Sequence, residues 1–190
     1  CDGTDANITK YNSADGKTIL EPADDAAQVH WGGKWRMPSD EEFTELREKC
    51  TWTWTTQDGV KGYKITGPSG NSIFIPAAGF HYENGFNYGE NGDYWSAQAG
   101  LPNNGKHLNF YPNKQINSTS YRYFGFPIRP VYDDRPTLTV IPTPEDAKVS
   151  FLCIGYQAQG HSITVDKGKN VLYQVTNVDA GYLSQGDSIY

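Results

Sequence analysis

The side chains of this sequence that could do chemistry are dispersed along the chain. His81-Tyr82-Glu83 has the His-x-Glu spacing of zinc-dependent deaminases, but the Pro-Cys-x-x-Cys segment that would supply the other zinc ligands is absent. The sequence also lacks a GxSxG segment, an HExxH helix, a P-loop and a dinucleotide-binding GxGxxG. The four histidines are scattered, without a cysteine or acid at metal-ligand spacing. We therefore predict a protein that is not an enzyme and uses no metal or cofactor.

A stretch without acidic residues, 94–132, is the candidate for molecular recognition. Residues 1–60 hold twelve acidic residues, whereas this stretch holds none. Its basic residues are Lys106, Lys114, Arg122 and Arg129, and we expect the first three to steer a ligand electrostatically. Tyrosine, asparagine and serine are the adaptable contact residues that binding loops favour. We predict a ligand-binding face near residues 98–124, formed by His107, Asn109, Tyr111, Asn113, Asn117, Ser118, Ser120, Tyr121 and Tyr123.

The alternative for the same stretch is a set of solvated polar hairpins without a ligand. In that interpretation Tyr121, Tyr123 and Phe126 would alternate into the core. The two interpretations differ in whether the tyrosine rings are exposed, which the sequence alone leaves open.

The composition indicates a folded, turn-rich chain of 190 residues. Aromatic residues make up 14% of it, which argues against global disorder, and twenty glycines and eleven prolines argue against long helices. The formal net charge of −6 opposes binding to a phosphate backbone. No apolar run reaches the roughly 18 residues of a membrane helix. We predict neither a nucleic-acid partner nor a membrane-spanning segment, and the oligomeric state stays open.

Periodicity and capping signals predict an α+β fold for the first part of the chain. Ser39-Asp40-Glu41-Glu42 forms a capping box at the start of the main helix. Strict alternation then places both Trp52 and Trp54 on one face of a strand, and we expect all five tryptophans in the core. The predicted elements are helices over 21–30 and 39–50, strands over 51–56, 60–66, 72–75, 94–97, 107–111 and 121–131, and a loop over 79–93.

A boundary is predicted at 133–136, where the composition changes, giving domains over 1–134 and 135–190. All five tryptophans precede residue 100, and the later strands recur at about ten-residue spacing, which is typical of a small all-β sandwich. The predicted strands lie over 137–141, 148–154, 162–165, 171–175 and 186–190. Because the last strand has no closing turn, we expect the native polypeptide to continue beyond Tyr190.

Ordered blocks between Tyr11 and Val131 resemble a known family. The blocks are Trp35-Arg36-Met37-Pro38-Ser39, Cys50-Thr51-Trp52-Thr53-Trp54-Thr55, Gly70-Asn71-Ser72-Ile73-Phe74-Ile75-Pro76-Ala77-Ala78-Gly79, Tyr94-Trp95-Ser96 and Ile128-Arg129-Pro130-Val131. They resemble the Fibrobacter succinogenes major paralogous domain, a family of Bacteroidetes surface and secreted proteins that belongs with the C-type-lectin-like folds. The resemblance implies that Cys1 is an internal position exposed by truncation and makes a Cys1–Cys50 disulfide conceivable.

The resemblance implies an extracytoplasmic location and a binding role. Calcium-dependent sugar-binding members of this fold use Glu-Pro-Asn or Gln-Pro-Asp with a Trp-Asn-Asp strand, whereas this chain has Tyr94-Trp95-Ser96 and no acid in 94–132, so we predict no calcium. The Asn-, Tyr- and Ser-rich window that includes Asn103 and Asn104 is similar to the variable region of receptor-like proteins diversified by retroelements. The tail is similar to PEGA-like and immunoglobulin-like surface modules.

Together these features predict a non-enzymatic recognition or adhesion module of a bacterial surface or secreted protein, binding a glycan or a protein. One alternative is a structural or stalk component of a surface assembly with no ligand. A second alternative is a divergent enzyme related to the formylglycine-generating oxidases. Those oxidases need redox cysteines or iron-binding histidines in the second half of the domain, and this chain has no cysteine between Cys50 and Cys153.

Overall fold

The structure is a computed structural model, and it divides the chain into two compact units, Cys1–Asp133 and Asp134–Tyr190. The boundary predicted from the sequence follows residue 134. In the residues that the structure describes, the fold is α+β, with two helices and antiparallel sheets. These residues are 8–82, 85–86, 88–100, 103–135, 137–139, 148–151, 158–159, 162–164 and 173–176.

In its described residues, the first unit contains both helices and four antiparallel sheets. The sheets have the strand orders β2-β3-β4, β7-β8-β9, β1-β10 and β5-β6. The elements are α1 (Ala26–Trp31), β1 (Trp35–Arg36), α2 (Asp40–Lys49), β2 (Thr51–Gln57), β3 (Val60–Thr66), β4 (Ser72–Pro76), β5 (His81–Tyr82), β6 (Gly85–Phe86), β7 (Gly92–Gly100), β8 (Asn104–Tyr111), β9 (Lys114–Tyr121) and β10 (Val131–Tyr132).

Helix α1 is shorter than the predicted helix over 21–30 because its N-cap is Asp25. One carboxylate oxygen of Asp25 accepts hydrogen bonds from the N–H groups of Ala27 and Gln28, and the other accepts from Met37 N–H. This buried carboxylate therefore satisfies three donors at once and fixes β1 to the helix start.

Helix α2 confirms the predicted capping box and its end near Cys50. The Ser39 hydroxyl accepts from Glu42 N–H, and the Glu42 carboxylate accepts from Ser39 N–H. The same carboxylate forms a bidentate pair with Arg36, whose Nε donates to Asp133 over 3.0 Å. The hydrogen bonds to Glu42 raise the pKa of the Arg36 guanidinium. This network joins the helix start to the end of the first unit.

The meander of β2, β3 and β4 confirms the three predicted strands. Trp52 and Trp54 pack, partly buried, against the core with their rings edge-on to Tyr63 and Phe110. The core members of this cluster are Phe43, Tyr63, Ile65, Ile75, Ala77, Tyr94, Leu108 and Phe110. Burial also raises the pKa of the Tyr94 phenol, which donates to Pro76 O.

The prediction that all five tryptophans lie in the core is wrong for Trp31, whose exposed fraction is 58%. Trp31 is the last residue of a helix of under two turns, and its ring contacts only the edge of Trp35 among the ring pairs of the described residues. Trp31 lies four residues after the buried Ala27 and so on the same side of the helix, and its exposure reflects its place at the end of α1, directly before the C-cap Gly32.

The predicted strand over 121–131 is wrong, and the strand beside β8 is instead β9. Polar Asn, Ser and Thr alternate along β9 without an apolar period, so periodicity alone does not reveal it. Beyond Tyr121 the chain turns, with Phe124 N–H donating to Tyr121 O. Pro127 and Pro130 lack the N–H that a strand ladder needs. The predicted loop over 79–93 likewise contains the short pair β5 and β6.

The second unit contains two antiparallel sheets in its described residues. Their strands overlap four of the predicted ones, and the predicted strand over 186–190 lies outside the described residues, as do Cys1 and Cys153. The sheets have the orders β11-β14-β13 and β12-β15. The strands are β11 (Thr137–Thr139), β12 (Lys148–Phe151), β13 (Ala158–Gln159), β14 (Ser162–Thr164) and β15 (Tyr173–Thr176).

The packing of β7 against Phe110 generates a stability prediction. A Cβ added to Gly92 would lie 2.1 Å from Cζ of the fully buried Phe110, so we expect Gly92→Ala to lower the free energy of unfolding by about 1–3 kcal/mol. A Cβ at Gly67 would have its nearest neighbour at 3.8 Å, so Gly67→Ala is the matched control, expected within about 0.5 kcal/mol of the parent. Urea unfolding measures both, and equal midpoints would contradict this packing.

Candidate functional site

The β8–β9 hairpin separates the nine predicted site residues into three groups. Tyr111 pairs with Lys114 beside the hairpin turn, whereas Tyr121 pairs with Asn104 at the other end. At about 3.3 Å per residue, the two ends of the eight-residue ladder lie about 23 Å apart. The predicted residues therefore do not form one site, and each group has its own environment.

The middle group includes His107 and Asn109, which are buried at 3% and 7% exposure. The β7–β8 register places Asp93 opposite Asn109. Asn109 Nδ2 donates to Asp93 Oδ1 over 2.8 Å, Asn91 Nδ2 donates to Oδ2, and His107 Nε2 lies 3.3 Å from Oδ1. These side chains hold β7 to β8 inside the unit, so His107 and Asn109 do not belong to an exposed binding face.

The contact between His107 and Asp93 is not visible as a metal-ligand spacing in the sequence. The acid lies one residue before the acid-free stretch, fourteen positions from the histidine in sequence, and only strand pairing brings the two together. In the described part of the chain, His107 Nδ1 has no hydrogen-bond partner, and the ring lies against Trp95 and Phe126.

Asn117, also in the middle group, connects β9 to helix α2. Its Nδ2 donates to Asp40 O, Asp40 Oδ1 and Thr44 Oγ1, and its Oδ1 accepts from Arg47 Nη1. Because both ends of this amide are engaged, Asn117 holds the helix to the sheet. The neighbouring Ser118 and Ser120 are half-buried.

The acid-free stretch of sequence is not an acid-free surface in the fold. Lys106 Nζ lies 3.0 Å from Asp40 Oδ2, and Gln98 Nε2 donates to Glu41. The first turn of α2 thus brings carboxylates beside β7, β8 and β9. The positive charge that we expected to steer a ligand is partly neutralised there.

The hairpin-turn group consists of Tyr111 and Asn113. Both are exposed, and Asn113 has a φ of 68°, the left-handed conformation that asparagine tolerates in turns. The buried Tyr63 hydroxyl accepts from Asn113 N–H and donates to Tyr111 O, so it fixes the turn from below.

The third group contains Tyr121 and Tyr123, whose side chains are exposed at 46% and 45%. Their rings are parallel to within 8°, with centroids 5.3 Å apart. Tyr82, exposed at 38%, lies 5.7 Å from Tyr123. The interpretation in which Tyr121 and Tyr123 alternate into the core is therefore wrong. We call Tyr82, Tyr121 and Tyr123 the tyrosine cluster.

Phe124 supports the tyrosine cluster from within. Its ring centroid lies 4.7 Å from Tyr82, 5.0 Å from Tyr123 and 6.4 Å from Tyr121, and it stacks on Phe126. Sequence reasoning missed Tyr82 and Phe124 as members of this group. The available signal for Tyr82 was the interleaving of glycines and aromatic residues over 79–93, but periodicity does not say which of those rings packs against Tyr123 and Phe124.

Backbone contacts hold the tyrosine cluster in place. Gly125 and His81 exchange both backbone hydrogen bonds at 2.8 Å. The Arg122 guanidinium donates to the carbonyl oxygens of Asn104, Lys10 and Tyr11, and burial lowers its pKa. The rings therefore stand on backbone that is fixed before any ligand arrives, which reduces the entropic cost of binding.

A second group of exposed aromatic side chains has a different geometry. Trp31 and Tyr132 flank Trp35, with interplanar angles of 89° and 75°. These perpendicular rings present edges to one another and offer no pair of parallel faces, unlike Tyr121 and Tyr123.

The described residues hold no group of three or more His, Cys, Asp or Glu side chains that could bind a metal ion. In the same part of the chain, no helix has both the length and the apolar character needed to cross a membrane.

The buried carboxylate of Asp93 generates a stability prediction. Asp93→Ala leaves the buried amides of Asn91 and Asn109 without their acceptor and removes the carboxylate beside the His107 ring, so we expect a loss of about 2–5 kcal/mol in the free energy of unfolding. The matched control is Glu90→Ala, which removes the same charge from an exposed turn position and should change stability by less than about 0.5 kcal/mol. Urea unfolding compares them, and similar losses would show that the Asp93 contacts do not stabilise the fold.

The chain has no match among the family models, the curated proteins or the solved structures with which it was compared. The α+β arrangement rests on the described helices and antiparallel strands.

Proposed function

We propose that the chain is a non-enzymatic recognition module of a bacterial surface or secreted protein, with an extracytoplasmic C-type-lectin-like unit followed by a small β-sandwich unit. The observation that carries the proposal is the tyrosine cluster, in which three partly exposed rings stand together on a fixed backbone. The bound partner is an extracellular glycan or protein, and binding needs no calcium.

The tyrosine cluster has the properties that recognition surfaces use. Tyrosine supplies a large, rigid contact area with only two side-chain torsions, so little conformational entropy is lost on binding. Each ring is about half exposed, and the buried half packs on Phe124 or its neighbours. Aromatic anchors of this kind contribute most of the free energy in protein recognition sites.

The other members of the predicted face have structural roles that reduce its extent. His107, Asn109 and Asn117 are engaged with Asp93 or with α2. The proposed binding surface is therefore the Tyr121 end of the hairpin, and Tyr111 lies at the opposite end.

The functional test compares tyrosines of equal exposure at the two ends of β8–β9. We expect the double variant Tyr121→Ala/Tyr123→Ala to weaken binding at least tenfold, because it removes both parallel rings, whereas Tyr111→Ala, exposed at 45% like Tyr123, leaves binding unchanged. The full chain is screened on a glycan array and in cell-surface pull-downs, and the affinity of each hit is measured for the three proteins.

The unfolding midpoint of each variant is the control for folding, since the exposed rings contribute little to the core. Hits whose affinity is equal for the parent and the double variant would refute the assignment of the site. Absence of any ligand, together with an unperturbed fold, would favour the stalk component without a ligand.

A further inference from the structure

We propose that the tyrosine cluster binds an uncharged pyranose unit of a glycan, which stacks on the exposed face of the stacked pair Tyr121 and Tyr123. This inference rests on the proposed function and specifies the ligand class of the same site. It follows from the ring geometry, the exposed area, the charge of the segment and the polar groups beside it.

The first step is the ring geometry. Tyr121 and Tyr123 are stacked on each other, with centroids 5.3 Å apart and ring planes parallel to within 8°, and both side chains are partly exposed, so the face of the pair that points away from the stack is open to a ligand. An aromatic face carries the negative part of the ring quadrupole, so it attracts the slightly positive C–H groups on the flat side of a pyranose. Edge-on rings such as Trp31 and Trp35, at 89°, do not present paired faces in this way.

The second step is the exposed area. An aromatic side chain presents about 150–250 Å², so three tyrosines exposed by less than half offer roughly 250 Å² together. A stable protein–protein interface takes about 800 Å² from each partner. The tyrosine cluster is therefore about the size of one or two sugar rings and too small by itself for a stable protein interface.

The third step is the charge of the segment. Arg122 is the only charged residue of Tyr121–Phe126, and its guanidinium is engaged with three backbone carbonyls. Lys106 is paired with Asp40, and Lys114 lies at the opposite end of the hairpin. This segment therefore has no cationic side chain positioned to pair with a carboxylated or sulfated sugar. A neutral sugar unit needs no such partner, so the segment favours a neutral ligand.

The fourth step is the supply of polar groups around the rings. Asn104 is the cross-strand partner of Tyr121, so the half-buried Asn104 side chain is on the same face of the sheet as that ring. The tyrosine hydroxyls add donors and acceptors at the ring ends. Sugar hydroxyls need such partners at the rim of an aromatic platform.

The experiment uses the full chain on an array of neutral hexose and N-acetylhexosamine oligosaccharides, each printed beside a sialylated, uronic-acid or sulfated counterpart. We expect at least one neutral oligosaccharide to bind, with an affinity that changes less than twofold between 50 and 500 mM NaCl. Calorimetry with that oligosaccharide then measures the variants.

The variants separate stacking from other contacts. Tyr121→Ala and Tyr123→Ala should each weaken binding about tenfold or more, since each removes a ring face, while Tyr121→Phe should stay within about threefold because it keeps the face. Tyr111→Ala and Tyr132→Ala are the controls, exposed tyrosines outside the cluster, and should bind like the parent. The conservative Phe variant keeps the test valid if an Ala variant folds poorly.

Three results would overturn the inference. One is binding only to acidic glycans with loss at high salt, and another is neutral-glycan binding that the Ala variants leave unchanged. The third is the absence of any glycan hit while deglycosylated cell-surface proteins are captured in a Tyr121- and Tyr123-dependent way. This third result would leave the proposed recognition function standing, whereas absence of any tyrosine-dependent ligand would refute both.

Discussion

The burial of β8 on both faces is the constraint on which the first unit depends. Its Leu108 and Phe110 are fully buried on one face, while His107 and Asn109 are buried on the other. Polar side chains in such a place need partners, because an unpaired buried group costs about 1–3 kcal/mol. The Asp93 carboxylate on β7 accepts hydrogen bonds from the side-chain amides of Asn91 and Asn109 and lies beside His107. It therefore supplies the polar face of β8 with hydrogen-bond partners and aligns the two strands.

A row of aromatic side chains connects the buried strand β8 to the surface. His107 lies against Phe126, Phe126 stacks on Phe124, and Phe124 supports the tyrosine cluster. The exposed tyrosines are thus the outer end of a continuous packed row that begins in the buried strand. The core holds such a binding surface in place, so little conformational entropy would be lost when the proposed ligand binds.

The charged residues of α2 reduce the part of the sheet surface that is available to a ligand. The helix is anchored by its capping box and by the Arg36 network, which places Asp40 beside β8 and β9. There it engages both Lys106 and Asn117, which on sequence grounds were candidates for steering and binding. The recognition surface is smaller than the polar stretch of sequence, because the helix occupies its middle.

The sequence by itself determined the local elements whose causes are local. The capping box at Ser39 and the alternation of Trp52 and Trp54 were sufficient to predict α2 and the first strand of the meander of β2 to β4. Each of these signals acts over a few residues, so the distant chain was not needed to interpret it.

Only the tertiary structure decided which polar residues are exposed. Strand β9 has no apolar period. Its register with β8 therefore comes from the hairpin and from the hydrogen bonds that Asn117 on β9 makes to α2. That register buries His107 and Asn109, and it separates Tyr111 from Tyr121 by the length of the ladder. Tyr111 and Tyr121 are the same residue type, so the sequence does not distinguish them. Their neighbours across the sheet differ, and these neighbours are determined by contacts between residues distant in sequence.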